Sequence, residues 1–277
     1  MSADTVPTPT IPTPPRPVYR VTGRRVVRSE WAKLWSLRSS WITLAVAALF
    51  LVMIGVIAAA VYSPTGPLGG KTAASGAALT LALAGTNLAA LAIGALGVLL
   101  SASEYSTGMV RSTFAAVPSR LPVLWSKAAV FGPVAFVLST IGALLSFLLG
   151  SALLHGEKIA LTLGYPGVMR CLVGAGLYLG LVGVFGVAVG VLMRSSAGGI
   201  AILAGVVLVL PGLTGLLPSS WGDVVSRYLP SNAGQSVITL HADSDSLISP
   251  GAGVLALLVW AVLLLAGAAY RLRHSDV

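Results

Sequence analysis

Six apolar runs restrict this 277-residue chain to very few architectures. They cover about residues 41–62, 74–101, 127–154, 171–193, 197–217 and 252–270. Each is close to or beyond the ~20 residues a helix needs to cross a ~30 Å hydrocarbon core. Backbone in lipid must satisfy its own hydrogen bonds, so runs of this length are helices. A transmembrane barrel would show shorter segments of alternating polarity, and this sequence has none. The expected fold class is therefore an all-α integral membrane protein with six transmembrane helices. Composition agrees, because only 9% of residues are charged, against ~25% in soluble domains.

The net charge of +9 could suggest nucleic acid. The basic residues instead flank the apolar runs, which points to lipid headgroups and topology and to no nucleic-acid partner. One side of the runs holds Arg16, Arg20, Arg24, Arg25, Arg28, Lys33, Arg38, Arg111, Arg120, Lys127, Arg194, Arg271 and Arg273. The other holds Lys71, Lys158, Arg170 and Arg227, a split of 13 to 4 among the 17 basic residues. The positive-inside rule then gives a multi-pass protein of the plasma membrane with both termini cytoplasmic. About 40 polar or mixed residues precede the first run, which is itself too long for a signal h-region, so no cleavable signal peptide is expected. The single cysteine, Cys171, forms no internal disulfide and reads as a small apolar packing residue.

Residues 1–18 carry six prolines among threonines and read as a disordered cytoplasmic tail. Over 19–38, Val27, Trp31, Leu34 and Trp35 fall at i, i+4, i+7 and i+8, one stripe of a helix. Arg24, Arg25, Arg28 and Lys33 surround that stripe. The pattern predicts an amphipathic helix on the inner membrane surface, with Trp31 and Trp35 as interfacial anchors and basic chains reaching lipid phosphates. Residues 66–72 (Gly-Pro-Leu-Gly-Gly-Lys-Thr) look like a phosphate loop, but Gly66 and Gly70 enclose three residues where that motif needs four. The fourth run holds two G-x-x-x-G pairs, Gly176/Gly180 and Gly186/Gly190. Small residues at this spacing admit a neighbouring helix, either within the chain or across a dimer face. Residues 219–249 are too apolar for a free linker and too interrupted to span, and predict an interfacial or re-entrant helix pair on the outer face.

Absences narrow the function. No Asp, Glu, Lys or Arg falls inside an apolar run except at its ends, and Asn87 is the one strongly polar side chain in mid-span. Ion-coupled carriers usually bury ionisable groups along their pathway. No zinc-protease, nucleophile-elbow or paired-aspartate pattern points to an intramembrane enzyme.

The second run ends in Glu104-Tyr-x-x-Gly108-x-x-Arg111, then Pro118-x-Arg120, then Lys127 at the opening of the third run. Residues 28–38 (Arg-Ser-Glu-Trp-Ala-Lys-Leu-Trp-Ser-Leu-Arg) precede the first run, and Tyr228-Leu-Pro-Ser-Asn-Ala-Gly234 precedes the sixth. Over about residues 20–273 these motifs resemble the permease subunits of ABC-2 type transporters, in their high-GC Gram-positive form. The resemblance implies an ABC-2 (type V exporter-like) permease fold over 19–273, with a connecting helix at 19–38 and a coupling segment at 103–120. It implies Glu104, Gly108 and Arg111 as the ATPase-coupling residues. It also implies a second permease copy, as homodimer or heterodimer, and export of amphipathic or lipid-like substrates. No nucleotide-binding domain is fused to the chain, so ATP and Mg would belong to a separate ATPase subunit, with no cofactor and no catalysis in this one. On the residues alone, Glu104, Gly108 and Arg111 at i, i+4 and i+7 would lie on one side of a short helix and offer an acid and a base to a docking partner. Alternatively, Glu104 caps that helix and Arg111 reaches lipid phosphate. A non-transporting sensor or assembly subunit, or a passive channel, are the alternative functions, and the substrate is not named by any residue.

Overall fold

A computed structural model describes residues 22–63, 76–117, 119–157, 159–216, 219–240 and 247–274. The proline-rich tail and most of the glycine-rich 63–73 loop lie outside the described residues. Helix α1 (Gly23–Ser36) meets α2 (Arg38–Ala60) through one extended residue, Leu37. Next come α3 (Ala77–Ala82), α4 (Thr86–Ser106), α5 (Met109–Ala116), α6 (Leu121–Leu153) and α7 (Val168–Met193). Then follow α8 (Ser196–Ala204), a π-helical turn at Gly205–Val209, α9 (Leu210–Leu213), α10 (Ser219–Tyr228), α11 (Pro230–Ile238) and α12 (Pro250–His274). Among the described residues there is no strand.

Six helical stretches are long and apolar enough to cross a bilayer: Arg38–Ala60, Ala77–Ser106, Leu121–Leu153, Val168–Met193, Ser196–Leu213 and Pro250–His274. This is the architecture of a multi-pass membrane protein. The sixth stretch runs four residues past the expected end at 270, and the third starts six residues before the expected 127. That early start places Lys127 inside a helix and not at its tip.

Helix α7 is the central post. The most apolar part of it is 72% buried, against 28% for the first stretch and 17% for the fifth. Its glycines explain how two neighbours approach so closely. A Cβ on Gly180 would lie 3.0 Å from Phe136 Cβ, and one on Gly190 would lie 2.7 Å from the Val98 carbonyl oxygen. The Gly176/Gly180 pair thus admits α6, and the Gly186/Gly190 pair admits α4. Both G-x-x-x-G pairs pack within the chain.

The second span breaks between α3 and α4. Thr86 N donates to the Leu83 carbonyl at 3.0 Å, which frees the Ala82 carbonyl that a continuous helix would have used. Ser146 Oγ of α6 donates to that carbonyl at 2.6 Å. Gly55 of α2 sits against both groups, where a side chain would collide with Ser146 Oγ and the Ala82 carbonyl oxygen. A broken helix at this depth needs such substitutes, because lipid offers no donors.

Within the 219–249 segment, residues 219–238 fold as the helix pair α10 and α11. Arg170 at the start of α7 caps α11, donating to the carbonyls of Val237 at 3.3 Å, Thr239 at 3.1 Å and Leu240 at 3.4 Å. Gly234 lies flat on the buried Tyr178 ring of α7. Trp260 Nε1 of α12 donates to the Tyr228 carbonyl at 2.9 Å. Residues 241–246 lie outside the described residues.

Candidate functional site

Helix α1 has two apolar faces, not one. Val26, Glu30 and Leu34 are buried, at i, i+4 and i+8. Val27, Trp31 and Trp35 form the adjacent stripe and are exposed. The single stripe expected from the sequence therefore divides: Leu34 belongs to the protein face, and the tryptophans to the outer face. The Trp31 and Trp35 rings stack at 6.0 Å, and Trp35 meets Trp41 of α2 edge-on at 4.8 Å. Trp41 Nε1 donates to the Trp35 carbonyl at 3.3 Å, which fixes the corner between the two helices.

Glu104 and Arg111 do not share a helix. Gly108 adopts a left-handed φ of 72°, a conformation glycine takes without strain, and α4 ends just before it. Helix α5 restarts after Gly108 in a new direction. The expected presentation of Glu104 beside Arg111 is thereby corrected. Arg111 is exposed on α5, whereas Glu104 is buried in the last turn of α4. Val110 anchors α5 from below. At its far end Val117 packs with Val26 of α1 and Val123 of α6, with Phe114 against them. The Arg120 guanidinium lies 5.4 Å from the Phe114 ring centre and donates to the Leu272 carbonyl of α12 at 3.4 Å.

Glu104 instead belongs to a closed cluster of four charges. Lys33 Nζ donates to Glu30 Oε1 at 2.6 Å and to Glu104 Oε1 at 2.9 Å. Lys127 Nζ donates to Glu30 Oε2 at 2.6 Å and to Glu104 Oε1 at 2.9 Å. The side chains are 29% exposed for Lys33, 10% for Glu104, 7% for Lys127 and 4% for Glu30. Signs alternate around the ring, so every charge touches only opposite ones and the whole is neutral. Such pairing is what lets charges stay ionised out of water. Burial pulls the Lys33 ammonium below the usual lysine range. The hydrogen bond and charge of Glu30, and then those of Glu104, more than reverse this and leave it raised.

The ring joins α1, the end of α4 and the start of α6 at one point. Beside it opens a cavity of about 180 Å³. Leu34, Leu37, Leu100 and Phe131 give it apolar walls, and Lys33 and Glu104 a polar one. Among the described residues no group of three His, Cys, Asp or Glu is placed to hold a metal ion. No protein-family model matches this chain, and no curated protein matches it either.

Proposed function

We propose that the chain is the membrane-spanning permease subunit of an ATP-driven exporter of the ABC-2 type. It would move an amphipathic or lipid-like substrate across the plasma membrane, driven by a separate ATPase subunit, alongside a second permease copy. The observation that carries this reading is helix α5. It is a short helix set off from the second span by Gly108, with Arg111, Ser112 and Ala115 exposed. A helix tied to the spans yet exposed along one face is what a motor subunit would push on. Its root is stiff, because Glu104 is locked to two lysines on two other helices. Apolar span interiors with no charge relay of their own also call for an external energy source.

The test is co-expression with a separate ATPase subunit, sought in the neighbouring reading frames. Wild-type chain should capture that ATPase, and ATP hydrolysis should require it. Arg111→Glu should lose capture while inserting normally, since truncating or reversing one partner of a desolvated interfacial charge pair costs ~2–5 kcal/mol. Equal capture and equal export by wild type and Arg111→Glu would remove α5 as the coupling element. Hydrolysis by the purified chain alone would remove the reading altogether.

A further inference from the structure

The cavity beside the ion ring has an unspent hydrogen-bonding edge. An ammonium carries three N–H donors. Lys33 Nζ uses two of them on Glu30 and Glu104. Glu104 takes both of its lysines on Oε1. Among the described residues no donor reaches Glu104 Oε2. One wall of the cavity thus offers a cationic donor and an anionic acceptor, separated by no more than the width of one carboxylate. The partner such a wall would take carries the opposite pair: an anionic oxygen for Lys33 and an N–H cation for Glu104, a short link apart.

The remaining walls say where that partner comes from. Leu37 and Met109 on the rim are exposed and apolar, so the cavity opens along a greasy edge. The same helix that contributes Lys33 carries the exposed Trp31 and Trp35, side chains that settle at the headgroup level of a bilayer. At about 180 Å³ the space is below the ~300–1,000 Å³ of pockets that enclose drug-sized ligands. It equals roughly six waters' share of liquid volume at ~30 Å³ each. That accommodates a headgroup and leaves a tail outside.

We propose that this cavity is a binding site for the headgroup of a primary-amine zwitterionic phospholipid, a phosphatidylethanolamine. Its phosphate oxygen accepts from Lys33 Nζ, its ammonium donates to Glu104 Oε2, and its acyl chains leave past Leu37 and Met109 into the surrounding leaflet. The proposal needs only the six spans and the ring, and it stands whether or not an ATPase partner is found.

The test places the full chain in nanodiscs of phosphatidylcholine doped with one other lipid, and reads lipid retention by native mass spectrometry. Phosphatidylethanolamine should be retained about tenfold over phosphatidylcholine, the ratio expected for one charge-assisted hydrogen bond won or lost. Retention should fall stepwise along the N-methyl and N,N-dimethyl analogues, which lose donors while keeping phosphate and charge. Soluble phosphoethanolamine should not compete at the same concentration, because it lacks the tail. Leu100→Trp fills the apolar wall without removing any charge of the ring and should abolish the preference. Ser103, exposed on α4, also lines the cavity, and Ser103→Leu is the milder second variant that should weaken the preference. Equal retention of phosphatidylglycerol would reduce the site to a simple attraction for anions and overturn the proposal. So would an unchanged preference in both variants, or effective competition by the soluble headgroup.

Discussion

Lys127→Met should be the most damaging single change in the ion ring. Lys127 is 7% exposed and contacts two carboxylates that are 4% and 10% exposed. Removing it strands two buried negative charges on Lys33 alone. Breaking a buried pair by deleting one partner costs ~3–5 kcal/mol. Lys33→Met deletes the same number of ion pairs, but Lys33 is 29% exposed and water already screens it. Its cost should fall toward ~1–2 kcal/mol. Replacing all four residues with apolar ones of similar size should recover most of the loss, because no charge is then left unpaired. The buried thiol of Cys171, the only cysteine of the chain, is a built-in reporter. A dye that fluoresces on thiol addition reads unfolding in detergent during a thermal ramp. Lys127→Met should lower the midpoint on the order of 10 °C, Lys33→Met by less than half of that, and the fourfold variant by least. If Lys33→Met proves as costly as Lys127→Met, burial does not rank these contacts and the reasoning fails.

Gly55→Ala should destabilise by ~1–3 kcal/mol through overpacking, since its Cβ would meet Ser146 Oγ and the Ala82 carbonyl. Gly205→Ala, with nothing within 4 Å of the new methyl, should be close to neutral in the same thermal ramp. Replacing both Trp31 and Trp35 with Ala should leave membrane insertion intact yet reduce the yield of assembled complex. An unchanged yield would make that stripe a passive flank. The Lys33 ammonium has a raised pKa in the fold, so its stabilisation is present below the ordinary 10.5 and is lost as pH climbs through the higher folded value. The midpoint gap between wild type and Lys33→Met should therefore stay flat from neutral pH up to about 10.5, and close between there and the higher folded value. In a Cys171→Ser background, a cysteine at position 240 should label from outside the cell and one at position 108 from inside. The reverse pattern would invert the topology.

The spans were legible because hydropathy over twenty residues is a bulk property that packing cannot hide. The ion ring was not, for a physical reason. Glu30 and Lys127 lie 97 positions apart, and Glu104 and Lys33 lie 71 apart. Glu104 and Lys127 sit at the edges of apolar runs and Glu30 and Lys33 in the amphipathic stretch before the first, where a charge reads equally well as a flank of the membrane segments. The break at Gly108 did carry a signal. A glycine just past the last apolar turn commonly ends a helix in the left-handed region, and that argues against one helix holding both Glu104 and Arg111. The division of the α1 stripe was out of reach, since periodicity groups Leu34 with Trp31 and Trp35 but does not say which neighbour faces protein. Neither could the sequence reveal the break at 83–85, whose rescue depends on a serine more than sixty residues away.

The ring also changes what kind of positive charge the finished protein displays. Of the thirteen basic residues on the cytoplasmic side of the charge count, the only two lysines are Lys33 and Lys127. Both are cancelled by Glu30 and Glu104 once the chain has folded. During synthesis, though, Lys33 emerges long before Glu104, and Lys127 after it. The ring closes only when Lys127, the last of the four residues to be made, reaches Glu30 and Glu104. The other basic residues in that count are all arginines, whose charge does not titrate in any accessible pH range. An amine-directed cross-linker should therefore react at Lys33, which is 29% exposed, before Lys127, which is 7% exposed.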